Sequence, residues 1–186
     1  LKGRSATTGT TDYASGISIT GSSSITTTGA GDISLTGSSV ATSGSQDTGI
    51  RIIGTSSSTL ATITGGTTGS VTMNGTATTA SPSGSYQHGI QLQNVKASTT
   101  GGNISLTGTG GTTSGTSAGT GNNRGIALES AAEVSATGAG TVTLTGVGGT
   151  GGPSATSANL GVSFNNTNNI KSESGAISIN ASAPDN

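Results

Sequence analysis

The chain has 186 residues, about 36% of them Ser or Thr, with 34 Gly, 7% charged residues and a formal net charge of −1. One Phe, two Tyr, one Met and no Trp cannot fill a rounded core, the six Lys and Arg are spread too thinly for a nucleic-acid footprint, and no 18-residue apolar run is present to span a membrane. Absence of Cys removes disulfide staples and thiolate metal sites, while the low net charge argues against disorder despite an Ile, Leu, Val and Phe content of only about 16%.

In chain order, the apolar residues fall into two recurring phrases. SGISITG (15–21) is followed by GDISLTG (31–37), TGIRIIG (48–54) by GSVTMNG (69–75), HGIQLQN (88–94) by GNISLTG (102–108), RGIALES (124–130) by GTVTLTG (140–146), and LGVSFNN (160–166) by GAISINA (175–181). Within each phrase the apolar residues alternate with polar ones, which predicts a strand with one buried face. The predicted inward residues of the first phrase are Ile17, Ile19, Ile50, Ile52, Ile90, Leu92, Ile126, Leu128, Val162 and Phe164. Those of the second are Ile33, Leu35, Val71, Met73, Ile104, Leu106, Val142, Leu144, Ile177 and Ile179. A third apolar point lies between them, at Ile25, Ile63, Val95, Val134 and Ile170. The phrase glycines, Gly31 and Gly37 among them, are expected at corners, where positive φ or tight turning is needed.

The glycines opening the first phrase, Gly16, Gly49, Gly89, Gly125 and Gly161, are 33, 40, 36 and 36 residues apart. A period in this range means a solenoid or an array. It divides the chain into units 13–47, 48–87, 88–123, 124–159 and 160–186 of one all-β segment. An antiparallel sandwich gives no reason for the same strand to recur with the same inward residues; a parallel β-helix does, because each coil lays its strand beside its counterpart in the previous coil. One large coil per unit is favoured over two small coils of about 18 residues, since each phrase keeps its own identity. Opening at Leu1 and ending in ASAPDN predicts a segment of a longer protein.

The chemistry-bearing residues read mostly as surface. Asp12, Asp32, Asp47, Glu129, Glu133, Glu173 and Asp185 show no convergent pair at a repeated offset, so solvated charge is expected. His88 has no acidic neighbour at equivalent positions and is expected on the surface, neither base nor ligand. No Asp-bearing nonapeptide repeat occurs, so no calcium ladder is expected. No catalytic, cofactor-binding or metal-binding residue is assigned, and no cofactor. The outward Ser, Thr and Asn of the second phrase form a flat uncharged lattice that suggests ice binding as a minor alternative to a solubilising surface. NGT (74–76), NIS (103–105), NNT (165–167) and NAS (180–182) fit the N-glycosylation pattern, at a frequency this composition produces by chance.

The run from GIALES through VSATGAG to TVTLTGVGGT (125–150) resembles the β-strand repeats of bacterial adhesins of the filamentous-haemagglutinin and autotransporter-passenger type. The resemblance covers nearly all of the chain from about residue 13. It implies a right-handed parallel β-helix, secretion to the bacterial surface, and a role in adhesion, aggregation or extracellular fibres. The expected function is therefore a non-enzymatic stiff spacer or stacking subunit, whose partners are further copies of itself, end to end or side by side, or host and cell-surface glycans, with neither nucleic acid nor membrane insertion. The alternatives are a module binding carbohydrate or protein through the loops 74–87 and 107–123, and a carbohydrate-active β-helix enzyme.

Overall fold

The computed structural model describes residues 1–5, 13–40, 45–77, 80, 81, 86–113, 121–151 and 159–184. The described residues contain no helix and form a parallel β-solenoid. Each unit is one coil with three strands, so the stack has three walls. The first wall is built from Ser15–Thr20, Thr48–Ile53, His88–Gln93, Ile126–Glu129 and Val162–Asn165. The middle wall is Ser24–Thr26, Ala61–Thr64, Val95–Thr99, Glu133–Ala136 and Asn169–Ser172. The third is Lys2–Arg4, Ile33–Ser39, Val71–Ala77, Ile104–Thr109, Val142–Val147 and Ile177–Ser182. A short side ladder pairs Ala80–Ser81 with Thr112–Thr113.

Register is kept from rung to rung. Ile17, Ile50, Ile90, Ile126 and Val162 form one column, and Ile19, Ile52, Leu92, Leu128 and Phe164 the next. On the third wall Ile33, Val71, Ile104, Val142 and Ile177 stack beside Leu35, Met73, Leu106, Leu144 and Ile179. The lumen admits only aliphatics of this size, and the central rungs are fully buried: Ile50, Ile90, Ile104, Leu106, Leu128 and Leu144 have no exposed surface. Parallel strands stacked at about 4.8 Å satisfy their backbone groups only through the neighbouring coil.

Six apolar positions differ from the sequence reading. Phe164, Ile177 and Ile179 keep their columns but are 45, 46 and 45% exposed, because no rung covers them among the described residues. Ile19 and Val162 are partly buried and pack against the core. In the middle wall the column runs Ile25, Ile63, Ala97, Val134, Ile170, and Val95 instead pairs with Ala61. Val95 and Ala97 both face inward, and the larger residue attracts the count of apolar spacing although the smaller one holds the register. The structure also places Val71 in the interior of its column and Ile177 at its end. Val71→Ala is therefore expected to cost about 2 kcal/mol in urea unfolding, and Ile177→Ala less than about 1. Equal costs would contradict a core that matures with the number of covering rungs.

The glycines that open the first phrase and close the second are not at corners. None of Gly16, Gly37, Gly49, Gly75, Gly89, Gly108, Gly125 or Gly161 has a positive φ. They line a seam where the first and third walls approach each other: a Cβ on Gly75 would collide with the carbonyl oxygen of Gly89, and one on Gly108 with that of Gly125. Positive φ instead falls on larger residues. Tyr13, Gln46, Tyr86 and Asn122 take φ of 68, 63, 65 and 64° at the corner entering the first wall. Gly21, Asn94, Ser130 and Asn166 take the corner leaving it.

Beside the entry corner runs a buried polar ladder. The Ala14 N–H donates to Asp47 Oδ1 (2.9 Å), the Gln87 N–H to Asn123 Oδ1 (3.1 Å) and the Asn123 N–H to Asn159 Oδ1 (3.1 Å). Asn123 Nδ2 also donates to Thr113 Oγ1 (2.8 Å) and to the Thr150 carbonyl (2.9 Å). Side-chain oxygens thus receive backbone N–H groups that a turning chain cannot offer to a ladder carbonyl. Asp47, expected as solvated charge, has no exposed surface because it belongs to this ladder.

Candidate functional site

The outer face of the first wall collects most of the unusual chemistry of the chain. Its outward columns are Ser18, Arg51, Gln91, Ala127, Ser163 and Thr20, Ile53, Gln93, Glu129, Asn165. Along its edge stand Tyr13, Gln46, Tyr86 and Asn122, each three residues before a glycine that opens the first phrase. Both tyrosines of the chain are in this one column, two rungs apart, and both are exposed, at 52 and 44%.

Between these columns lies a groove of about 380 Å³ lined by Gln46, Tyr86, His88, Gln91, Gln93 and Glu129. Gln46 Nε2 donates to the Tyr13 hydroxyl at 3.1 Å, and the Arg51 guanidinium lies 5.4 Å from the centre of the Tyr13 ring. Glu129 accepts from Arg124 Nη1 at 3.2 Å and from Gln91 Nε2 at 2.9 Å. The side chains of Arg124 and Glu129 are 12 and 20% exposed, so the groove's two ionised groups neutralise each other in a partly desolvated setting.

His88 departs from its expected surface position: it is 1% exposed. Its Nδ1 accepts the Arg124 backbone N–H at 3.3 Å, which leaves the ring proton on Nε2, and Tyr86 meets the ring edge-on at 6.2 Å between centroids. Among the described residues Nε2 has no hydrogen-bond partner. Burial, aided by the positive charge of Arg124, lowers the His88 pKa to about 3. A neutral imidazole whose basic nitrogen is already engaged is a fixed donor, not a proton acceptor, at neutral pH.

The remaining acidic residues hold structure together locally. Glu133 bridges Lys96 (3.6 Å) and Lys171 (3.8 Å) along the middle wall, Glu173 Oε2 accepts the Gly138 N–H at 2.6 Å, and Asp32 Oδ1 accepts the Ser70 N–H at 2.7 Å. Such exposed pairs contribute little individually, about 0–1 kcal/mol. Asp12 and Asp185 lie outside the described residues, as do 78, 79, 82–85 and 114–120 of the two candidate loops. Among the described residues no group of three His, Cys, Asp or Glu is placed to hold a metal. The lattice residues are in register on the third wall, Ser34, Thr72, Ser105, Thr143 and Ser178 side by side with Thr36, Asn74, Thr107, Thr145 and Asn180. The column before them is engaged in backbone pairing, as where Asn103 Oδ1 accepts both the N–H and the hydroxyl of Thr141 at 2.9 Å.

The sequence reading did not find the Tyr13–Gln46–Tyr86–Asn122 column. The signal was present: alignment of the units on their glycines superposes those four positions. Comparison with protein-family models, curated proteins and solved structures returns no match.

Proposed function

We propose that the chain is a non-enzymatic structural segment of an extracellular bacterial fibre or adhesin, a stiff stack that holds a recognition surface away from the cell. The observation that supports this most is the unbroken register of all three walls, which gives a rod that can be extended by adding units without altering the cross-section. The groove adds no catalytic constellation to this reading: its one carboxylate is tied to Arg124 and its histidine is held neutral. Antibodies raised against the chain should label intact cells carrying the parent protein. Ten tandem copies of residues 88–123 inserted into it should lengthen the rod seen by electron microscopy by roughly 48 Å, at about 4.8 Å per rung. Labelling only after permeabilisation would sink the surface assignment, and an unchanged length would sink the rod.

A further inference from the structure

We propose that the groove on the outer face of the first wall is a binding site for an uncharged oligosaccharide, lying along the stack against Tyr86 and Tyr13. This does not rest on the rod reading, and its test separates the two.

The first observation is conformational. Tyr13 and Tyr86 sit at φ of 68 and 65°, in the left-handed region where a bulky side chain is strained, at a corner that Asn122 fills in the next coil at 64°. Asn occupies that conformation at little cost, so an aromatic ring kept there trades stability for what the ring presents to solvent. Nothing in the fold uses those rings as core, since both are about half exposed.

The second observation is the buried Nε2–H of His88. His88 lines the groove, its Nε2–H lacks an acceptor among the described residues, and a hydroxyl oxygen reaching it beside the Tyr86 ring would supply one. Residues that neighbour it define the ligand. Gln46, Gln91 and Gln93 offer carboxamides, which donate and accept as a sugar hydroxyl does. The ionised pair Arg124–Glu129 is closed on itself, and Arg51, which lies over the Tyr13 ring, is not among the residues that line the groove, so the groove's own described lining offers no free charge for an anionic group. Aromatic faces flanked by amides, with the groove's carboxylate already paired, match a ligand of apolar C–H faces and many hydroxyls.

One histidine, two tyrosines and one phenylalanine make the aromatic proton spectrum of this chain nearly unambiguous. Titrating the intact chain with maltotetraose, cellotetraose, mannotetraose and chitotetraose, with tetragalacturonate as an acidic control, should shift the His88 and Tyr86 ring signals with at least one neutral sugar, with saturation transfer from the tyrosine rings to it. Tyr86→Asn should weaken that sugar by roughly tenfold, as loss of a central aromatic anchor does, while leaving the melting temperature unchanged or higher. Gln93→Ala, on the outer face of its strand, should weaken it by about threefold, the loss of one hydrogen bond. Ring signals unmoved by every neutral sugar, preferential binding of tetragalacturonate, or unchanged affinity in both variants would each overturn the proposal, and none of these results bears on the length of the rod.

Discussion

Acidification from pH 7 to pH 4 is expected to cost the fold about 3 kcal/mol through His88 alone. The folded-state pKa is about 3, lowered first by burial and then by Arg124, against an ordinary value of 6.5. Between those two values the unfolded chain binds a proton that the folded chain refuses, so stability is whole above pH 6.5 and falls by about 1.4 kcal/mol per unit as the pH drops towards 3. Urea midpoints measured across this window should therefore slope downward into acid. His88→Asn keeps an acceptor for the Arg124 N–H and removes the titrating ring, so its profile should be flatter. A parallel slope in that variant would show that the imidazole is not the group responsible.

Gly75→Val is expected to destabilise the chain by about 4 kcal/mol, towards the severe end for a single substitution. For a domain of this size that corresponds to a fall in Tm of roughly 8–16 °C. The cause is collision with the Gly89 carbonyl across the seam, which is backbone and cannot rotate away. Gly75→Asn discriminates between two roles for the residue. A corner needing left-handed backbone accepts Asn readily, whereas a seam rejects any Cβ; Asn should therefore fail nearly as badly as Val. Gly31→Ala provides the control, because its added Cβ meets a Thr27 side chain at 3.3 Å instead of the opposite wall, and it should cost less than about 1 kcal/mol.

The walls were legible in the sequence because period-two alternation and a repeat near 36 residues leave few alternatives for where Ile50, Ile90 and Ile126 can stack. The role of the glycines was not legible. Positive φ and close approach select the same residue, and only the path of the opposite wall separates them, as it does at Gly75 and Gly89. His88 was misread for a related reason: the lack of an acidic residue at equivalent positions suggested a surface histidine, whereas it is buried beneath Tyr86 and beside Arg124. The groove escaped notice because its members come from four different units and carry different side chains. A search for sameness passes over a column defined by position alone.

The second coil is the longest, at 40 residues, and part of its extra length is a turn closed on itself where Ser56 pairs with Thr59. Ile50 still meets Ile90, and Ile63 still meets Ala97, as though nothing had been added. Insertions at such a turn act like substitutions on a surface: they alter the exterior while the interior keeps its count. A lineage of such molecules can therefore vary in outline and in what it displays, changing length and content between walls, without having to reinvent how it folds.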